Sequence, residues 1–289
     1  MSGIASIILT ENNLSPTGLF DASTQKGPYN KFYLPLSSNL NGCKLALQKA
    51  NIYYSWPNVS TSENNWQAGT ISFPVGGSYV SFQWNLTAGY NYASISQLND
   101  ALQQFCIQNG LYLQNAGGTA NIYFISLVAN ANSYGIDLNL AKIPTSGTGY
   151  TVPAGWVGFP TVSSTPRISF KKNFNLLIGY PASVVYDGGT SAINYSSSFT
   201  PQLSPVSSVL ISCNLVHNPL GGSTSIMHVF STKNTAYGSI IDISPTGELI
   251  WFDIKNASAN YLEITFYDQN YKPLLIQDPA SVIQLLIKN

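Results

Sequence analysis

The sequence predicts an all-β fold, a β-sandwich or jelly roll, and three observations support that prediction. Aromatic residues make up 12% of the 289-residue chain, led by 18 tyrosines, and such side chains favour pleated, half-buried strands. Several segments alternate apolar and polar residues with a period of two, as in residues 261–267. About ten such short segments are separated by turn signals, which is typical of sandwiches and jelly rolls.

A hairpin gives the strongest local strand signal. Residues 70–75 and 78–86 alternate apolar and polar side chains on either side of Gly76-Gly77, a pair that supplies the positive φ values of a tight turn. The alternation slips in the long strand at 44–56, which indicates a bulge. The other predicted strands are residues 121–128, 135–140, 209–215, 225–231, 238–243, 249–254, 261–267 and 282–287.

One amphipathic helix is predicted at residues 95–108. Ser94 is a good N-cap, Gln97 completes a capping box, and Gly110 is a natural stop. Ile95, Leu98, Leu102 and Phe105 recur at helical spacing, so we expect the helix to cross one end of a sandwich. The motif occurs once, which argues against a tandem pair of jelly rolls.

Two kinds of segment interrupt the strand pattern. Residues 1–28 form a predicted N-terminal arm, either a tail with an edge strand in the apolar run 4–9 or an arm that adds to a neighbouring subunit. Residues 144–166 and 181–205 are predicted as long loops, functional or inserted, because compact domains rarely contain loops of that length.

The scarcity of charge is the most unusual feature of the composition. Charged residues make up only 8% of the chain, against about 25% in an average soluble domain, and the net charge is zero. A neutral secreted or phage-like β-protein is one explanation. The alternative is a surface covered by neighbouring subunits, since charge depletion marks interface cores. The basic residues are scattered, with Lys171-Lys172 as the only basic pair, so we expect no direct nucleic-acid binding.

Targeting and redox signals are few. The start of the chain lacks the features of a signal peptide, and no apolar run approaches the length of a membrane span. The odd set of Cys43, Cys106 and Cys213 predicts reduced core thiols. Chance explains the N-x-S/T sequons in a chain so rich in Asn, Ser and Thr; they include those that begin at Asn58, Asn85, Asn194 and Asn256.

Catalytic motifs are absent from the sequence, so we predict no enzyme and no catalytic, cofactor-binding or metal site. His217 and His228 alone make a weak case for a metal site. Arg167 is the only arginine, which argues against recognition of acidic substrates. For glycoside hydrolysis the best carboxylates are the ones that cluster in sequence, Asp242, Glu248 and Asp253, although ordinary surface positions explain them as well.

Carbohydrate binding is the alternative function that the residues leave open. A spike or adhesion module stacks sugars on exposed aromatic rings, whereas aromatic residues on strands more often belong to a core or an interface. The candidate platform residues are Tyr53, Tyr54, Trp56, Trp66, Trp84 and Trp156.

Several segments also carry a resemblance to a known family. They are residues 44–58 (KLALQKANIYYSWPN), 94–102 (SISQLNDAL), 153–156 (PAGW), 174–179 (FNLLIG), 205–216 (PVSSVLISCNLV), 263–270 (EITFYDQN) and 282–288 (VIQLLIK). In order and spacing they resemble the minor capsid, or penton, proteins of virophages, Polintons and Polinton-like viruses. The resemblance spans residues 44–288, most of the chain.

The resemblance implies a structural protein of the virion. It implies a single jelly-roll β-sandwich of about 8–10 strands with one short amphipathic helix and long inserted loops. The arm would comprise residues 1–28 and the jelly-roll capsid domain residues 29–289. Homopentamers would occupy the five-fold vertices of an icosahedral capsid, assembled inside the host cell, with a double-jelly-roll major capsid protein as partner. A length of 289 residues favours the vertex protein, because the facet protein needs two jelly rolls.

Overall fold

A computed structural model describes residues 3–16, 29–37, 40–218, 225–232, 235–245, 247–255 and 259–289. These residues form 21 strands, two α-helices and one 3-10 helix at Glu11–Asn13. The strands are β1 (Ile4–Leu9), β2 (Leu14–Pro16), β3 (Tyr29–Pro35), β4 (Lys44–Tyr53), β5 (Gln67–Val75), β6 (Ser78–Asn85), β7 (Tyr112–Asn115), β8 (Asn121–Tyr123), β9 (Ile125–Asn130), β10 (Gly135–Leu140), β11 (Tyr150–Thr151), β12 (Arg167–Phe170), β13 (Val185–Asp187), β14 (Ile193–Ser196), β15 (Ser208–Cys213), β16 (Val216–His217), β17 (Ile226–Ser231), β18 (Ile240–Ile243), β19 (Phe252–Ile254), β20 (Tyr261–Asp268) and β21 (Val282–Lys288). The helices are α1 (Ile95–Gln108) and α2 (Phe174–Ile178).

The chain divides into two compact units. The first unit combines Met1–Trp56 with Val206–Asn289, and the second is Pro57–Pro205, inserted in the sequence between β4 and β15. Each unit has its own cluster of buried apolar side chains. The boundaries of an arm at 1–28 and a capsid domain at 29–289 stay a prediction.

The first unit is a jelly roll. One sheet has the order β1-β21-β4-β19-β16, with β18 also pairing with β4, and the other has the order β17-β15-β20-β3-β2. If the short β2 and β16 are left out, and β18 and β19 are counted as one interrupted strand, eight strands remain. When these eight are numbered 1 to 8 along the chain, their order across one sheet is 1-8-3-6 and across the other 5-4-7-2. All pairs are antiparallel, and this interleaving of two sheets is the jelly-roll arrangement. The predicted fold class is confirmed.

Alternation along each strand builds the core of the first unit. In β20, Leu262, Ile264 and Phe266 are fully buried, whereas the residues between them point outward. Burying such side chains stabilises the fold by about 1.5–3 kcal/mol each, before entropy is subtracted. The predicted bulge in the long strand is present, because the register with β21 shifts and leaves Gln48 without an opposite residue.

The second unit contains three sheets, with the orders β13-β12-β5-β6, β14-β10-β9 and β11-β7-β8. The predicted hairpin is confirmed as β5 and β6, in antiparallel register from Val75–Ser78 to Gln67–Asn85. Only Gly76 of the turn adopts a positive φ, of 57°. Inward-facing Ile71, Phe73 and Trp84 are fully buried in the core of this unit.

Helix α1 has the predicted bounds and belongs to the second unit. The Ser94 hydroxyl accepts a hydrogen bond from the backbone N–H of Gln97, and the Gln97 side chain accepts one from the N–H of Ala93. Leu98, Leu102 and Cys106 are buried. The helix packs against β9, where the Asn99 side chain accepts the Leu127 N–H. Within the described residues, no helix combines the length and apolar character needed to cross a membrane.

The two predicted loops are not wholly irregular. Residues 144–166 contain β11, and residues 181–205 contain β13 and β14. These strands are two to four residues long, too short for their alternation to be visible in the sequence. The five-residue helix α2, which the sequence did not predict, begins four residues after β12.

A buried polar cluster fixes the start of the second unit. The Asn58 side chain accepts the Tyr92 N–H at 2.9 Å and donates to the carbonyl oxygens of Tyr92 at 2.9 Å and Leu203 at 2.7 Å. Asn65 donates to the Asn58 carbonyl and accepts the Ser60 N–H, both at 2.8 Å. Asn58 is only 4% exposed, so its sequon is inaccessible to glycosylation. The sequon at Asn256 lies outside the described residues.

Replacing Asn58 with Ala should destabilise the protein by about 2–4 kcal/mol, because it leaves Tyr92 and Leu203 backbone groups without partners. The exposed Asn85, another sequon asparagine, is the matched control, and Asn85→Ala should change stability by no more than about 0.5 kcal/mol. Equilibrium denaturant unfolding measures both variants. Equal, small losses in the two variants would show that the Asn58 cluster does not hold the unit.

Candidate interaction surfaces

The outer face of the second jelly-roll sheet is rich in tyrosine. Alternate residues of β3, β15, β17 and β20 point away from the core, and antiparallel register brings them side by side. Leu210 of β15 lies opposite both Tyr267 of β20 and Val229 of β17. Tyr261 of β20 lies diagonally opposite Tyr33 of β3. We call this surface the tyrosine face; its members are Tyr33, Leu210, Val229, Tyr261 and Tyr267.

The contacts of the tyrosine face are those of a flat, nearly uncharged surface. The rings of Tyr33 and Tyr261 stack, with centroids 5.2 Å apart and planes at 27°. Beside them, Lys31 Nζ lies 3.2 Å from Glu263 Oε2, so the two charges neutralise each other. Val229 is 52% exposed and Tyr33 41% exposed. Abundant tyrosine and balanced charge are typical of the core of a protein–protein interface.

The outer face of the first sheet is different, because charged residues concentrate there. Lys44 Nζ lies 2.9 Å from Asp253 Oδ1, and Lys49 Nζ lies 3.6 Å from Asp242 Oδ2. The Lys288 ammonium lies 4.0 Å from the centre of the Trp251 ring. All four paired charges are at least 44% exposed, so each pair contributes at most about 1 kcal/mol. The two outer faces of the jelly roll therefore differ in chemistry.

The edge of the first sheet is strand β1. Its six residues pair antiparallel with β21 of the same chain, from Ile4–Lys288 to Leu9–Ile283. Of the two predictions for residues 1–28, the edge strand is confirmed for this segment. Ile4 and Ile8 point outward and are 63% and 58% exposed. Residues 17–28 of the predicted arm lie outside the described residues, and addition of the arm to a neighbour stays a prediction.

A comparison with solved structures finds a distant likeness. The chain is similar to the mavirus penton protein, with a TM-score of 0.43 and 13% sequence identity, over 100% of this chain and 99% of that chain. No family model matches the chain, and no curated protein matches it.

Two of the carboxylates considered for glycoside hydrolysis, Asp242 and Asp253, do not come together. Asp242 lies opposite Asn51 and Asp253 opposite Lys44, positions seven residues apart on β4. At about 3.3 Å per residue this separation is roughly 20 Å, whereas paired catalytic carboxylates lie about 5–10 Å apart. Asp242 and Asp253 are also each paired with a lysine. These two residues therefore do not form a catalytic pair, and the third candidate, Glu248, is exposed.

The two histidines lie on strands of different sheets. His217 is on β16, opposite Asp253, and His228 is on the edge strand β17. Burial lowers the pKa of His228. Throughout the described ranges, no three His, Cys, Asp or Glu side chains are grouped to hold a metal ion.

The aromatic residues considered as a sugar platform belong mainly to the two cores. Tyr54, Trp56 and Trp84 are at most 7% exposed, and Trp66 and Trp156 pack against the core of the second unit. The Trp156 ring centre lies 5.2 Å from that of Phe159 and 5.6 Å from that of Phe73. Trp66 and Trp156 are thus partly covered by this core, which argues against a sugar platform on either ring.

Arg167, the only arginine, has a structural partner. Its Nε donates to Asp187 Oδ2 at 2.7 Å across the β12–β13 pair, and its guanidinium lies 3.8 Å from the centre of the Tyr79 ring. All three cysteines are free and buried, as predicted. Burial raises the pKa of both Cys106 and Cys213 to about 12.

The buried thiols make stability fall in alkali. Cys106 and Cys213 stay protonated in the folded state while the unfolded thiols ionise, so the free energy of unfolding should decrease from about pH 9 towards pH 12. Each thiol contributes a slope of up to about 1.4 kcal/mol per pH unit. Denaturant unfolding at about pH 8 and about pH 10.5 measures the decrease.

Two cysteine variants distinguish the contribution of the thiols to this pH dependence from that of other groups. Cys106→Ala and Cys213→Ala should each lower stability at both pH values, because each leaves a cavity, yet each should reduce the dependence on pH. Burial also raises the pKa of Tyr180, so some decrease should remain. An unchanged slope in both variants would contradict the assignment.

Proposed function

We propose that this protein is a structural capsid subunit, the penton that forms homopentamers at the five-fold vertices of an icosahedral virion. The single observation that supports this best is the strand order 1-8-3-6 and 5-4-7-2 of the first unit, because viral capsid domains commonly have this architecture. The proposed partners are other copies of the chain and a double-jelly-roll major capsid protein, and the proposed location is the virion, assembled inside the host cell.

The tyrosine face is the proposed contact between neighbours. In a ring of five, the contact between neighbours joins two different surfaces, so the same face need not be present on both sides of the contact. A single apolar face on one side of the sandwich fits this geometry. The two outer faces of the jelly roll do differ, since one carries the exposed ion pairs and the other the tyrosines. A stable contact requires burial on the order of 1,000 Å² or more.

The proposed role is structural, without catalysis and without direct binding to the genome. The basic residues Lys31, Lys44, Lys49 and Arg167 are each paired with a carboxylate. Four neutralised basic side chains provide little attraction for phosphate groups. A subunit of this kind would contact protein more than nucleic acid.

The mass of the purified protein in solution tests ring formation. Native mass spectrometry should detect a species near five times 31.2 kDa, alone or after mixing with the major capsid protein. A trimer would contradict the vertex role. So would a monomer that fails to join the shell when the partner assembles.

A charge on the tyrosine face should prevent ring closure. Val229→Asp places a carboxylate at a position that is half exposed in the free subunit and would be buried without a partner in the ring. We expect at least a tenfold loss in the association constant, equivalent to about 1.4 kcal/mol.

Val128→Asp is the matched control for this test. Val128 is 48% exposed on a strand of the second unit, so the substitution adds the same charge at a similar exposure on a strand that is not part of the tyrosine face. It should leave ring formation unchanged. Equal ring formation by both variants would refute the proposed contact, although a pentamer could still form through another surface.

A further inference from the structure

The second unit contains an open cavity that the capsid role does not explain. Its volume is about 310 Å³, within the range of small-molecule sites. It lies between the segment that follows β6 and the first two turns of α1, and its lining residues are Thr87, Tyr90, Tyr92, Gln97 and Asp100. None of the candidate residues from the sequence analysis lines it.

The walls of this cavity are held in place by the fold. Asn58 binds both backbone groups of Tyr92, and the Val59 N–H donates to the Tyr90 carbonyl at 3.2 Å. On the helix side, the Gln97 carboxamide oxygen accepts the Ala93 N–H at 2.7 Å. These bonds order the cavity before any ligand arrives, which lowers the entropic cost of binding.

The lining provides one aromatic surface and a mixed set of hydrogen-bonding groups. Tyr90 is 52% exposed, and its ring packs against that of Tyr92, with centroids 5.0 Å apart and planes at 58°. The Gln97 amide nitrogen is a donor, the tyrosine and threonine hydroxyls are donors and acceptors, and the Asp100 carboxylate accepts. Among the described residues, none forms an ion pair with Asp100.

We propose that this cavity binds a neutral sugar residue. The apolar C–H face of a pyranose ring would lie on Tyr90, and its hydroxyls would donate to Asp100 and accept from Gln97. An anionic ligand is disfavoured because the only charged group of the lining is negative. A quaternary ammonium ligand is characteristically enclosed by several aromatic rings, whereas Tyr90 and Tyr92 pack against each other and leave a single aromatic wall.

Titration of the full chain with methyl glycosides tests the proposal. The probes are the methyl glycosides of glucose, galactose, mannose and N-acetylglucosamine, with tetramethylammonium chloride as the cationic alternative. Isothermal titration calorimetry and saturation-transfer NMR should detect at least one glycoside with a dissociation constant on the order of 1 mM, which is ordinary for a single sugar. Tyr90→Ala and Asp100→Ala should each weaken it about tenfold or more.

Two further variants test whether the Tyr90 ring is the part of the cavity that contacts the sugar. Tyr90→Phe keeps the ring and should retain most of the binding, whereas Tyr134→Ala removes a tyrosine that is 82% exposed elsewhere in the second unit and should have no effect. The proposal is supported when Tyr90→Ala weakens the binding and Tyr134→Ala does not. Binding of tetramethylammonium in place of every glycoside would overturn it, as would binding that is indifferent to both Tyr90 and Asp100, or no binding of any probe.

Discussion

The jelly roll depends on the pairing of its last strand, β21, with β1 and β4. Strand β21 lies between β1 and β4 and forms antiparallel pairs with both, so residues near the two ends of the chain are adjacent. Without β21, Leu9 and the inner side chains of β4 would lose their neighbours in the core. Such long-range pairs are slow to form, because the chain must close a large loop before the contacts stabilise it.

The insertion of Pro57–Pro205 is compatible with this constraint. The chain leaves the first sheet at the end of β4 and enters the second sheet at β15, a step that every jelly roll makes between its third and fourth strands. Because the entropy of loop closure grows slowly with length, a long insertion there costs little more than a short loop. The inserted residues form their own cluster of buried apolar side chains.

The sequence predicted the elements whose signals are local. Helix α1 has its cap, spacing and stop within the segment from Ser94 to Gly110, and the β5–β6 hairpin has its turn between two alternating segments. Strand pairing over long distances left no such signal, so the second unit was predicted as a hairpin, a helix, two further strands and long loops, without the pairing of its sheets. Asp242 and Asp253 are close in sequence but are far apart along β4, because β18 and β19 pair with opposite ends of that strand.

The aromatic residues show the same limit for sites. Composition could not distinguish Trp156, which packs among Phe73, Phe124 and Phe159, from Tyr90, which lines a cavity. The position of Tyr90 and Tyr92 depends on Asn58, which bonds to Tyr92 across 34 positions of the chain. The sequon at Asn58 was visible in the sequence, but only the fold shows that this asparagine is buried and bonded to Tyr92.

The distribution of polar groups gives the two units different capacities. In the jelly roll, exposed ion pairs lie on one outer face and stacked tyrosines on the other, and the tyrosine face suits repeated contact between copies. In the inserted unit, a carboxylate and an exposed tyrosine line a concave surface, which suits a small polar ligand. Because the two sets of residues belong to units with separate cores, substitutions in one set should act independently of the other. Assembly and recognition can then change separately within one chain.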